Sequence, residues 1–102
     1  MNTKRNAKLK KAGMVVTDAA AWLGLSPEEA ALVEMRLSLA REVEKIRLKK
    51  GISQSELSAR LGTRQPAIAR MENRPQASSL DSLVRALLAL GATPRKIAAT
   101  LV

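Results

Sequence analysis

The chain has 102 residues, a length that sets one modest core. Its hydrophobic fraction of 46% is almost all Ala, Leu, Val, Ile and Met, with Trp22 the single aromatic. That palette favours small helices over sheets and is too apolar for a disordered chain. A net charge of +9 points to a polyanionic partner. The absence of Cys and His excludes disulfides, Cys/His zinc sites and the common Cys–His and Ser–His nucleophile pairs, so no catalytic residue, metal or cofactor is expected.

Residues 1–13 carry Lys4, Arg5, Lys8, Lys10 and Lys11 and no acid. With no apolar periodicity, this segment is expected to be a disordered basic arm. No apolar signal core follows it, which points to the cytoplasm. No segment approaches the roughly 20 apolar residues of a membrane span.

Residues 14–102 are expected to form a single helical domain. Thr17 is a candidate cap for a short helix over 17–25, ended by Gly24. Ser26, Pro27 and Glu29 then spell a capping box with proline at the first helical position. A long helix is predicted over 26–50, with an apolar stripe through Ala30, Val33, Leu37, Ala40, Val43 and Ile46. Gly51 stops it.

Shorter elements follow. Ser53 and Glu56 suggest a second capping box, and Gly62 ends that helix. Thr63 or Arg64 opens the next helix, through about Glu72, where Pro66 is tolerable because it falls in the first turn. Residues 73–78, NRPQAS, read as a loop. Over 79–102, Ser79 caps a helix ended by Gly91, and Thr93-Pro94 starts the last one.

The run GISQSELSARLGTRQPAIARMENR, residues 51–74, carries the most information. Leu57, Leu61, Ile68 and Met71 fall where two short helices would face a common core. Ser58 keeps their crossing small, and Gly62 supplies a left-handed turn. Gly-x-Ser-Gln-x-Glu-Leu, then Leu-Gly, then Ile and Glu at the right offsets, resembles the helix-turn-helix of the phage repressor and Cro type, the XRE family. The resemblance covers roughly residues 39–90. Alanine is usual in that family where Ser58 stands here. The implied fold is all-α: a compact lambda-repressor-like helix-turn-helix domain of about five helices, with an N-terminal helical extension and the basic arm.

The resemblance implies a function as well. The second motif helix would enter the major groove of double-stranded DNA, with Gln65, Pro66 and Arg70 at base-facing positions. Gln suits adenine and Arg suits guanine, while Pro66 offers only apolar contact. Ser53, Gln54, Arg64, Asn73 and Arg74 are the expected phosphate contacts, and the arm lysines and Arg5 could add more. Arg47 and Glu72 match a pair that forms a structural salt bridge in related repressors. The implied protein is a sequence-specific transcriptional regulator, a repressor and a homodimer. Small XRE proteins of this length also resemble HigA-type antitoxins, in which residues 1–35 would hold a toxin. Trp22 is read as a packing anchor. The stripe Ile97, Ala98, Leu101 and Val102 is read as either core or dimer seam. A peripheral membrane role is disfavoured because the arm lacks a bulky apolar face.

Overall fold

The computed structural model describes residues 23–102. The arm cations, Thr17 and Trp22 lie outside the described residues, as does most of the helix expected over 17–25. Its last residues, Leu23 and Gly24, form a turn. The chain divides into two compact units, Met1–Glu34 and Met35–Val102.

The described residues form five α-helices in order: α1 Pro27–Lys49, α2 Gln54–Leu61, α3 Gln65–Asn73, α4 Leu80–Ala89 and α5 Pro94–Thr100. The described residues contain no strand, and the architecture is the all-α helix-turn-helix type.

Local chemistry sets the boundaries. At the start of α1 the Ser26 N–H donates to Glu29 Oε1 at 2.9 Å, and the Glu29 N–H donates to Ser26 Oγ at 3.1 Å. This reciprocal box satisfies two backbone donors that a helix start leaves open. The bond from the Ser26 N–H, reinforced by the Ser26 hydroxyl, holds the Glu29 carboxyl below its usual pKa. At the other end Gly51 takes φ 67°, and the Ile52 N–H reaches back to the Arg47 carbonyl at 3.0 Å. The chain therefore leaves α1 through a left-handed residue that glycine adopts cheaply.

The caps of α2, α4 and α5 are Ser53, Ser79 and Thr93, whose side chains accept from the N–H groups of Glu56, Ser82 and Lys96. The box at α2 is only half made. Glu56 turns its carboxylate to Arg60, one turn on, at 3.1 Å. An i,i+4 ion pair competes for the same acid at little cost.

The core of the second unit is one aliphatic cluster: Leu39, Ala40 and Val43 of α1, then Ile52, Leu57, Ile68, Met71, Leu83, Ala86, Leu87, Leu90 and Ile97. The face of α1 that enters this cluster follows the expected stripe at Ala40, Val43 and Ile46 and departs from it at Leu37. Leu39 is buried and Leu37 only half-buried. Ala40 and Val43 of the expected stripe enter the cluster and Ile46 packs against it, while Leu39, four residues before Val43, takes the core place expected of Leu37. The stretch NRPQAS is also more ordered than a plain loop. Pro75–Ala77 form a 3-10 turn with Pro75 buried, closed by the Ala77 N–H on the Arg74 carbonyl at 2.9 Å. The fixed φ of Pro75 presets that turn.

Candidate nucleic-acid interface

The two motif helices are joined by a short turn around Gly62, at φ 67°. The Thr63 N–H donates to the Ser58 carbonyl at 2.9 Å, closing the end of α2. A Cβ at Gly62 would meet nothing within 4 Å, so glycine is favoured there by backbone conformation alone. Leu57, Ile68 and Met71 are buried between the helices, and Leu61 packs against the same cluster. Ser58 is buried as well. Its hydroxyl donates to the Ser55 carbonyl at 2.6 Å, so the extra oxygen is satisfied inside its own helix and needs no partner across the crossing.

With Ile68 and Met71 turned inward, the opposite side of α3 is free. Gln65, Pro66 and Arg70 are all exposed on it. Pro66 sits in the first turn. Arg64 is the N-terminal flank, and unlike the caps of α2, α4 and α5 its side chain makes no capping hydrogen bond. The first turn of α3 carries no acid. Its positive end is thus left uncompensated by the protein. Arg64, Asn73 and Arg74 are exposed around the helix, as is Ser53 at the start of α2.

Behind this face lies a buried ion pair. Arg47 Nε donates to Glu72 Oε2 at 2.7 Å and Nη2 to Oε1 at 2.9 Å, a bidentate fork. The Glu72 side chain is 1% exposed and that of Arg47 9%. The remaining guanidinium nitrogen, Nη1, donates to the Ile52 carbonyl at 3.0 Å. Hydrogen bonding to Glu72 raises the Arg47 pKa above its already high ordinary value. The pair ties the end of α1 to the last turn of α3.

The pair also extends outward. Gln54 Nε2 donates to Glu72 Oε1 at 3.1 Å, and Gln65 Nε2 donates to Gln54 Oε1 at 2.6 Å. A continuous relay therefore runs from buried Arg47 through Glu72 and half-buried Gln54 to exposed Gln65. Assigning Gln54 to phosphate alone missed this link. Its sequence signal is weak: two amide side chains 11 residues apart on successive helices.

A cleft of about 490 Å³ adjoins Arg70. Its far wall carries Ser79, Ser82 and Arg85, a polar row three residues apart along the start of α4. Sequence reasoning passed over Arg85, although this spacing places it on the same helix face as Ser82. The cleft sets a second guanidinium beside the exposed side of α3.

The helix-turn-helix family matches the chain over residues 43–97, more than half its length. The chain belongs to the helix-turn-helix family. The matched region is thus a DNA-binding helix-turn-helix domain of the XRE type, not an enzyme domain. It runs from Val43, near the end of α1, to Ile97 in α5 and includes both motif helices, the Arg47–Glu72 pair and the Gln54–Gln65 link. The chain is also similar to an uncharacterized HTH-type transcriptional regulator of Haemophilus influenzae, with 36% identity over 66 residues, 65% of this chain and 67% of that protein. No solved structure matches it. No described helix is long and apolar enough to cross a membrane.

Proposed function

We propose that this helix-turn-helix protein is a sequence-specific transcriptional regulator that represses by occupying an operator overlapping a promoter. One observation carries the proposal: Gln65, Pro66 and Arg70 stand exposed on α3, with Gln65 already held by Gln54. Gln65 and Arg70 supply the bidentate chemistry suited to adenine and guanine, and Pro66 supplies an apolar surface suited to a thymine methyl. A side chain oriented before contact loses less conformational freedom on binding. The uncapped, acid-free N-terminus of α3 favours a polyanion at the same place. Ser53, Gln54, Arg64, Asn73 and Arg74 fix register through phosphates, and Arg85 joins them across the cleft. The arm, residues 1–13, follows the backbone with Lys4, Arg5, Lys8, Lys10 and Lys11. The matched helical domain, residues 43–97, does the reading in the cytoplasm.

One reading helix covers only a few base pairs, so the protein acts as a homodimer on half-sites about one helical turn apart. Exposed Leu88 of α4 and Leu101 beyond α5 supply apolar surface for pairing. Selection from a random duplex pool with the purified protein tests the proposal. A two-fold symmetric consensus is the expected result, and enrichment of no sequence would refute specific reading.

A second reading, a HigA-like antitoxin, is favoured by the segment that lies outside the family match. Residues 1–35 are available there to hold a small toxin ribonuclease, while the motif binds the operon's own operator. Co-purification with the product of an adjacent short gene tests it.

A further inference from the structure

A second cleft, of about 450 Å³, lies between the end of α1 and the turn that joins α4 to α5. It lies toward the C-terminal end of α4, whereas the cleft beside Arg70 is lined by the start and middle of that helix. Its floor is aliphatic, made by Ile46, Leu90 and Ala92. Four lysines rim it: Lys45 and Lys49 from α1, Lys50 just past its end, and Lys96 from α5.

The lysines are not equally occupied. Lys50 donates its Nζ to the Leu90 carbonyl at 2.6 Å, capping the end of α4 from outside. It also closes over Gly91, where a Cβ would come within 2.9 Å of the same nitrogen. Lys96 approaches Glu42, the cleft's single acid, at 3.9 Å. Lys45 and Lys49 have no carboxylate within 4.0 Å among the described residues. They stand one turn apart on α1, the spacing at which like charges repel. The dipole at the end of α1 favours cations in its last turn, which accounts for Lys49 but not for Lys45 a full turn earlier.

We propose that this cleft is a docking site for an acidic peptide segment of a partner protein, one that carries aliphatic side chains among its carboxylates. Charge complementarity selects the acid, because a carboxylate between Lys45 and Lys49 converts their mutual repulsion into two attractions. The floor selects the aliphatic groups, because Ile46 and Ala92 remain half-buried and gain by being covered. The size is in the range of a cavity that takes a few side chains. A nucleic-acid strand is disfavoured, since such grooves carry stacking aromatics and none lines this one. A basic partner is repelled by the four lysines.

The test uses the full chain and a short synthetic peptide of alternating Glu and Leu, labelled for fluorescence anisotropy. Lys45→Glu with Lys49→Glu should weaken peptide binding by at least about tenfold, and Lys45→Arg with Lys49→Arg should retain it. Both lysines are exposed, and circular dichroism checks that the helices persist. A peptide with Ser in place of Leu should bind several-fold more weakly. Three outcomes overturn the proposal: undiminished peptide binding by the Glu variant, equal binding of the Leu and Ser peptides, or a loss of duplex binding larger than the loss of peptide binding. The last would make the rim a phosphate surface.

Discussion

Gln65 Nε2 lies 2.6 Å from Gln54 Oε1, so the first exposed residue of α3 is held by the first residue of α2. If Gln65 reads a base, Gln54 decides where its amide points. Gln54→Ala should lower affinity for the selected operator by on the order of 1–2 kcal/mol and relax preference at the base pair that Gln65 faces. Affinity for scrambled duplex should change much less. A uniform loss on both duplexes would make Gln54 a phosphate contact only.

Arg70 and Arg74 separate reading from positioning. Arg70 is exposed on α3, and Arg74 lies just past its end. Arg70→Ala should cost about 1–3 kcal/mol on the operator and little on scrambled DNA. Arg74→Ala should weaken both alike and reduce the slope of log affinity against log salt by about one. Titration of each variant on both duplexes at two salt concentrations distinguishes them.

The Arg47–Glu72 pair is framework. Removing either partner alone strands a buried charge, so Arg47→Met or Glu72→Leu should each destabilise the domain by about 3–5 kcal/mol in urea unfolding. The double substitution should recover most of that loss. Recovery should be incomplete, because the Ile52 carbonyl also loses the donor that Arg47 Nη1 supplied. Additive losses would show that the two side chains act independently.

The capping box at Ser26 sets a pH dependence. The Glu29 carboxyl has a folded pKa below its ordinary value because Ser26 donates to the charged form. A depressed carboxylate contributes stability that is fully present above the unfolded value, about 4.3, and is lost as pH falls through the folded value. The first turn of α1 should therefore fray only in acid. A carboxyl-detected NMR titration should place Glu29 below the ordinary glutamate value, and Ser26→Ala should move it back up.

Ile97 is buried in the core, while Leu88 and Leu101 are 47% and 37% exposed. Ile97→Asp should unfold the domain and says nothing about assembly. Leu88→Asp with Leu101→Asp should keep the fold and give monomers in sedimentation, with weaker operator binding. A dimer that survives both substitutions would place the seam elsewhere.

Much of the fold was legible because helix ends are written locally. Ser26-Pro27, Gly51, Gly62, Ser79 and Thr93-Pro94 each act through neighbours a few residues away, and the observed ends fall beside them. The core face of α1 was harder. Ala and Leu surround that helix, so its amphipathic signal is weak, and the choice between Leu37 and Leu39 depended on tertiary packing. The Gly62 turn and the buried Leu57, Ile68 and Met71 were visible as spacing. The relay from Glu72 through Gln54 to Gln65 was not, because it joins residues 18 and 11 apart whose approach depends on how α2 and α3 cross. The lysine-rimmed cleft was hidden for the same reason, since Lys96 meets the end of α1 only in the folded chain.

The exposed side of α3 has a further consequence. Pro66 and Arg70 contribute nothing to the aliphatic cluster, and Arg70 makes no hydrogen bond to another side chain among the described residues. Selection can therefore rewrite them without a debt in folding, whereas Gln65 can change only in company with Gln54. New target preferences should arise along this lineage by single steps at positions 66 and 70. At 54 and 65 they should arise as coupled replacements, so that drift in what the protein addresses runs at two different tempos on one helix.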